Sequence, residues 1–248
     1  MPDERVRGQK PQESGAPAAE RRYRSPTIGE IFRRAGGIEV PEAMKEAARK
    51  LPARSPGEEA LTRVFEGLDP DTDSVDERYN EVINSLRGAS YTLEDIQPFI
   101  YRNAEALRPN ENSGIILSAM INNIIKEGEK IEIDPNGLLL DRIGYKLSRG
   151  ELILNGNAGS RTGHSMSGGT LTINGSADYT TGYRMSGGKL VIKGNSGYET
   201  GYNTIQSTGT IVIEGKAKSV VDRTMRGGKL FVNGEEVRRY PWSSCPRT

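Results

Sequence analysis

The chain has 248 residues, with 34 Lys and Arg, 33 Asp and Glu, and a single Cys and a single His. One Cys and one His cannot supply an ordinary zinc site, an iron–sulfur cluster or an intrachain disulfide. No apolar run reaches the roughly 18–20 residues that span a bilayer, and the first 25 residues lack the apolar segment of a signal peptide. We therefore expect a cytoplasmic protein that has no membrane segment and is poor in catalytic groups.

Residues 1–25 are the first predicted region, a polar and charged arm. They contain three prolines and almost no large apolar side chain. Such a segment cannot repay the entropy cost of ordering, so we expect it to be disordered.

The segment Pro26–Ala35 follows the arm, and it places Ile28, Ile31 and Phe32 on one helical face before Gly36–Gly37. Basic residues cluster around it: Arg21, Arg22, Arg24, Arg33 and Arg34. A solvated basic arm is the ordinary interpretation of this cluster. Binding to an anionic partner is the alternative.

Residues 26–112 are predicted to form a small helical region. Its further helices are expected at Glu42–Leu51, Pro56–Gly67, Asp76–Leu86 and Thr92–Asn103, and another runs from Asn112 or Ser113 to Gly128. Residues 51–112 carry 6 basic and 13 acidic groups, a net charge of −7, while the flanking segments are mildly basic. Nucleic-acid binding is therefore not expected, because it requires concentrated positive charge.

A repeat of about 19 residues dominates residues 113–235. One set of glycines recurs with spacings of 19, 19, 21 and 19 residues: Gly156, Gly175, Gly194, Gly215 and Gly234. A second set follows seven residues later: Gly163, Gly182 and Gly201. Most units then have a Met, a glycine pair and a three-residue apolar strand. A degenerate unit with Gly137, Gly144, Leu147 and Gly150 precedes them, which gives about five coils.

This spacing predicts a mainly β fold, a right-handed parallel β-helix that follows the helical region. Strands this short cannot bury a face alone, so each unit must stack on the next, about 4.8 Å away. Glycines are expected at the corners, where the backbone needs positive φ or close approach. The pairs Asn155–Gly156, Asn174–Gly175 and Asn233–Gly234 are typical of such corners.

Stacking aligns equivalent side chains into columns. Two columns are expected to point inward: Leu152, Leu171, Leu190, Ile211 and Leu230, and Leu154, Ile173, Ile192, Ile213 and Val232. A third side is expected to hold Met166, Met185, Ile205 and Met225. The alternating column, which we name the outer apolar column, consists of Ile153, Thr172, Val191, Val212 and Phe231. Because it is largely apolar, we expect the helices, a second copy or another protein to cover it.

A further column contains Tyr145, His164, Tyr183, Tyr202 and Arg223, with Tyr179 and Tyr198 on a neighbouring column. A surface ladder of side chains explains it without chemistry. The functional alternative is an aromatic strip that contacts a ligand or partner, because aromatic residues are enriched in binding surfaces. The candidate interaction surface therefore combines this strip with the outer apolar column: Ile153, Val191, Val212, Phe231, Tyr183, Tyr202 and His164.

Other motifs are weak. Asp69, Asp71 and Asp73 have the spacing of a calcium loop, but Ser74 stands where its glycine would be and Asn80 where its glutamate would be. The glycines match no phosphate-binding loop, since coil corners explain them. Cys245 has no neighbouring histidine to act as its base. No catalytic, cofactor-binding or metal-ligating residue is predicted.

The unit Gly–x–x–x–(Tyr)–x–x–Gly–(Tyr/His)–x–Met–x–Gly–Gly–x–Leu–x–Ile–x–Gly occurs at Gly156–Gly175 and Gly175–Gly194. It resembles the repeat in the C-terminal domain of glutamate synthase large subunits, which is also found in formylmethanofuran dehydrogenase. Ile121–Gly128 also resembles the helix that leads into that family's β-helix. The resemblance covers about residues 113–235. It implies a structural domain that packs between catalytic parts and carries no catalytic residue.

The resemblance has limits, because this chain lacks an N-terminal cysteine nucleophile and a cysteine-rich cluster. We therefore expect a non-catalytic structural or interaction subunit within an oxidoreductase assembly. The alternative is a stand-alone homo-oligomeric scaffold or a regulatory protein that binds an anionic partner through its basic arm. Partner subunits or self-association would use the β-helix. Residues 236–248 are expected to be a cap or tail, with Tyr240 and Trp242 over the open end.

Overall fold

The computed structural model describes residues 40–69, 71–72, 74–107, 112–202, 204, 208–218 and 227–237. The predictions for the arm at residues 1–25 and for Pro26–Ala35 fall outside these residues. Several single positions discussed above also fall outside them: Asp73, Ile205, Arg223, Met225, Tyr240, Trp242 and Cys245.

Five α-helices form the amino-terminal part of the described chain. They are α1 (Glu42–Lys50), α2 (Pro56–Glu66), α3 (Val75–Ser85), α4 (Ile96–Arg102) and α5 (Ser113–Ile124), with a 3-10 turn at Leu93–Asp95 before α4. Ser55 begins α2 by accepting the Glu58 N–H at 2.9 Å, and Asp95 accepts the Thr92 N–H at 2.8 Å. The predicted helices are therefore present, with shifts of a few residues at their ends.

The last helix differs from its prediction, because α5 ends at Ile124 and not at Gly128. Ile125 adopts an extended conformation, and Gly128 has a φ of 80° in the turn before the first strand. Residues 113–121 are all buried, so α5 has no polar face in its first two turns. It is the central helix, with α3 packed against it.

The predicted β-helix is confirmed as a parallel β-solenoid. Its strands are β1 (Lys130–Ile133), β2 (Glu151–Leu154), β3 (Ser167–Ile173), β4 (Gly187–Ile192), β5 (Thr210–Ile213), β6 (Lys229–Val232) and β7 (Glu235–Glu236). The first six pair in parallel in sequence order, and β7 pairs antiparallel with β6. The sequence analysis missed β1, whose Ile131 and Ile133 pair with Leu152 and Leu154.

Both predicted inner columns are present. Their members pair in register along the sheet, and all are buried except Val232, which is partly buried. Met166 and Met185 are also buried, as expected for the third side. The strands alternate between buried and half-exposed positions, so one face of the sheet forms the solenoid core.

The coil glycines fall into two groups with different physical roles. Gly163, Gly182 and Gly201 have φ values of 70°, 72° and 78°, as expected for corners. Gly175 does not have positive φ. A Cβ on Gly175 would instead lie 2.5 Å from the Gly156 carbonyl oxygen, so the stack itself excludes a side chain there.

The Asn–Gly prediction is therefore only partly right. Asn233 and Gly234 have φ values of 50° and 81° and form the tight turn between β6 and β7. Asn155–Gly156 and Asn174–Gly175 lie just after β2 and β3 but adopt no positive φ. At these two pairs glycine is needed for close approach between coils and not for turn conformation.

Helix α5 covers the amino-terminal end of the solenoid. A Cβ on Gly114 would lie 2.0 Å from the Asp141 carbonyl oxygen, so the helix backbone approaches the first coil closely. The Ser118 hydroxyl accepts the N–H groups of Gly144 and Tyr145 at 2.9 and 3.1 Å. Polar groups at this open end are thus paired with a helix and not left to a further strand.

Candidate functional site

The His164 column, which we define as Tyr145, His164, Tyr183 and Tyr202, forms a continuous aromatic ladder. Successive ring centroids lie 5.0, 4.8 and 5.7 Å apart, and the last pair is stacked while the first two are edge-on. Tyr79 on α3 extends it, with its ring 5.4 Å from that of Tyr145. The structure therefore aligns the predicted side chains and joins them to the helical region.

Asp76, in the first turn of α3, connects the two regions through its carboxylate. It accepts hydrogen bonds from the Tyr145 hydroxyl at 2.8 Å and from the Lys146 ammonium at 2.5 Å. The Lys146 hydrogen bond, followed by that of Tyr145, lowers the pKa of Asp76. Burial, followed by the hydrogen bond to Asp76, raises the pKa of Tyr145. This contact was not predicted from the sequence, since the partners are 69 residues apart.

His164 is held as a neutral imidazole. Burial, followed by the positive charges of Arg142, Arg161 and Arg184, lowers its pKa to about 4. Its buried Nδ1 atom has no hydrogen-bond partner among the described residues. An imidazole with such a pKa is a weak base and is not protonated at neutral pH, so this environment does not favour general acid–base catalysis.

Tyr179 and Tyr198, which we name the tyrosine pair, are the most exposed aromatic side chains of the described chain. Their exposed fractions are 50% and 46%, and their rings stack with centroids 5.7 Å apart. The Lys218 ammonium lies 5.4 Å from the Tyr198 ring centroid, within cation–π range. The His164 column, in contrast, is buried at Tyr145 and only half-exposed at His164, Tyr183 and Tyr202. The more accessible aromatic surface is thus the neighbouring column.

The outer apolar column lies along the other face of the sheet. Its five side chains pair in register on β2 to β6, and each is half-exposed. The described helices pack mainly on one another, and none makes an extensive contact with these strands. Of the three covers considered above, the described helices are therefore excluded.

The acidic run at Asp69 and Asp71 is organised around an arginine. Arg78 is buried and donates to the Asp69 and Thr72 carbonyl oxygens at 2.5 and 3.2 Å, and it also donates to Glu81 at 2.7 Å. A guanidinium bound to these carbonyls occupies the place where a calcium loop would use them as ligands. Within the described ranges, no group of three or more His, Cys, Asp or Glu side chains could hold a metal ion.

The geometry defines the class of protein as a β-solenoid with a helical cap at its amino-terminal end. Comparison of the chain with protein-family models, with curated proteins and with solved structures finds no match. Among the helices of the described chain, none is both long and apolar enough to cross a membrane.

Proposed function

We propose that this chain is a non-catalytic scaffold subunit that binds a partner subunit through the flank of its β-solenoid. The observation that carries the proposal is the tyrosine pair, which exposes about half of two stacked rings on adjacent coils. Tyrosine is over-represented among residues that dominate protein–protein binding energy. Monomeric proteins have little reason to leave two such rings together in water.

The support on which the tyrosine pair stands favours a binding role. The Tyr179 carbonyl accepts the Arg161 N–H at 2.7 Å, and the Tyr198 carbonyl accepts the Thr180 N–H at 2.8 Å. Both backbones are therefore fixed in the stack of coils. A rigid platform loses little conformational entropy on association, so more of the contact energy contributes to affinity.

The oxidoreductase part of the proposal rests on the resemblance of the glycine repeat to the C-terminal domain of glutamate synthase large subunits. In this proposal the chain works in the cytoplasm, and partner subunits hold the flavin, molybdenum or tungsten chemistry. The described residues contribute ordered ladders and surfaces. The neutral His164 contributes packing between Tyr145 and Tyr183.

Native affinity purification with mass spectrometry, followed by reconstitution with the purified partner, tests the proposal. The wild-type chain should retain a flavin-, molybdenum- or tungsten-bearing subunit. The double variant Tyr179→Ala/Tyr198→Ala should lose it by at least about tenfold in Kd, since hot-spot truncation costs about 2 kcal/mol or more. The matched control Lys193→Ala/Glu214→Ala changes exposed side chains on two other coil corners and should bind normally.

Two results would contradict this function. One is turnover of glutamine, 2-oxoglutarate or another small substrate by the isolated chain. The other is a discrete homo-oligomer that co-purifies with no enzyme subunit, which would favour the stand-alone scaffold. The basic arm of the regulatory alternative lies outside the described residues, so no contact of the described chain favours that alternative.

A further inference from the structure

The outer apolar column is a narrow stripe with charged borders. On β4 and β6, Lys189 and Lys229 precede its members and are exposed, while Lys193 and Glu214 are exposed just after β4 and β5. The stripe crosses β2 to β6, so it is about 19 Å long at a strand spacing of ~4.8 Å. A narrow apolar stripe with polar borders fits a single amphipathic helix laid across the strands.

The size of this face argues against a second copy as its cover. Six strands of four residues present a flat area of about 310 Å², from a strand spacing of ~4.8 Å and a rise of ~3.3 Å per residue. Stable interfaces bury about 800 Å² on each partner. A face-to-face dimer of these sheets would therefore be too small to persist by this contact alone.

The amino-terminal end of the described chain lies close to the edge of this face. Val40 is buried, and a Cβ on Gly137 would lie 3.2 Å from the Pro41 ring. Gly137 follows the carboxyl end of β1, where the Gln97 side chain holds the Asp134 backbone at 2.7 and 2.9 Å. The chain that precedes Val40 therefore leaves from the corner at which the first strand of the sheet ends.

We propose that Pro26–Ala35 packs as an amphipathic helix along the outer apolar column of its own chain. Its Ile28, Ile31 and Phe32 have the i, i+3, i+4 spacing of one helical face, and Glu30, Arg33 and Arg34 fall on the other side. Ten helical residues measure about 15 Å, close to the length of the stripe. This self-contact concerns a different flank from the tyrosine pair and does not depend on any partner.

The tether is long enough for this contact. Residues 36–39 span up to about 13 Å when extended. Strand β3 lies two strand spacings from β1, which is about 10 Å. Gly36 and Gly37 allow the chain to turn from the corner onto the sheet. The helix could therefore begin its contact near Thr172 and continue toward Val191 and Val212.

Cysteine cross-linking in the full chain, on a Cys245→Ser background, tests the contact. Ile31→Cys is combined with Val191→Cys or, as a control, with the exposed Tyr198→Cys on the other flank. With a short bifunctional maleimide, the first pair should cross-link at least about tenfold faster, because the docked tether gives an effective concentration in the millimolar range. The rate should not change on dilution of the protein.

Two results would overturn the contact. Equal rates for the two pairs would mean that the segment does not dock on the sheet. Cross-links between chains, accompanied by a dimer mass, would assign the face to a second copy. Maleimide labelling of Val191→Cys checks the same contact without a pair, and it should accelerate several-fold when Ile28, Ile31 and Phe32 are changed to Asp. Loss of partner binding in the tyrosine variants reports on the other flank, so either proposal can fail alone.

Discussion

The helical region and the solenoid are held together by different kinds of contact. In the helical region each polar contact occurs once and joins distant residues, as when Arg102 pairs with the buried Glu58 or when the Tyr91 hydroxyl donates to the Met120 carbonyl at 2.8 Å. In the solenoid the same contact recurs. Asn157, Ser176 and Asn195 each accept a backbone N–H from the next coil, at 2.8, 3.0 and 2.9 Å.

This difference determines how each region tolerates change. A residue in the helical region can adjust against flexible side chains, whereas a residue in the solenoid lies between coils of fixed backbone about 4.8 Å away. We therefore expect glycine substitutions to be severe in the stack and mild in the turns beside the helices. The predictions below test this contrast, from the largest expected effect to the smallest.

Gly188→Ala should be the most destabilising of these changes. Gly188 has a φ of 78°, and a Cβ would lie 2.3 Å from the Gly168 carbonyl oxygen, so the variant adds steric overlap to an unfavourable conformation. We expect a loss of about 4 kcal/mol or more in the free energy of unfolding. Gly88→Ala is the matched control, since its φ is 82° with nothing within 4 Å, and it should cost only about 1 kcal/mol. Similar urea midpoints for the two variants would refute the steric argument.

Leu190→Ala should cost about 3 kcal/mol, because it opens a cavity in a fully buried inner column. Its neighbour Val191 points to the opposite face and is half-exposed. Val191→Ala should therefore cost about 1 kcal/mol or less. Denaturant unfolding of both variants measures the ratio. A larger loss for Val191→Ala than for Leu190→Ala would mean that the outer face is the more tightly packed one.

His164 should make stability depend on acid. The unfolded chain binds a proton to this imidazole near its ordinary pKa of 6.5, whereas the folded chain does so only near pH 4. The contribution of His164 is therefore fully present above pH 6.5 and is lost as the pH falls toward 4. His164→Tyr, which continues the tyrosines on both sides, should flatten this part of the Tm–pH curve. Parallel curves for the two proteins would contradict the buried, neutral state.

Asp76→Asn should have the smallest effect, about 1 kcal/mol or less at neutral pH, since the carboxylate is largely exposed to solvent. The pKa of Asp76 is lowered in the folded chain, so its contribution is present above the ordinary aspartate range. That contribution is lost as the pH falls through the folded-state value. The difference in urea midpoint between wild type and variant should thus disappear in acid. An undiminished difference would show that the contact stabilises through packing and not through charge.

The solenoid could be predicted from the sequence because its information is local and repeated. Gly163, Gly182 and Gly201 mark the same corner in three coils, and Leu171 and Leu190 mark the same inward position. Stacking by one coil then fixes the register without any knowledge of distant residues. The strand β1 escaped prediction because its coil is degenerate, with Lys130 and Glu132 beside Ile131 and no glycine pair before them.

The sequence by itself determined the coils, their inner columns and the alignment of Tyr145, His164, Tyr183 and Tyr202, since all follow from one repeat length. Only the tertiary structure decided how far each column is exposed, and it left the tyrosine pair more accessible than the His164 column. It also decided where the helices pack. The contacts of Asp76 with Tyr145 and of Ser118 with Gly144 join residues 69 and 26 positions apart, and no periodic pattern encodes such pairings. They arise because the buried helix α5 and the open end of the solenoid each need a surface that the other supplies.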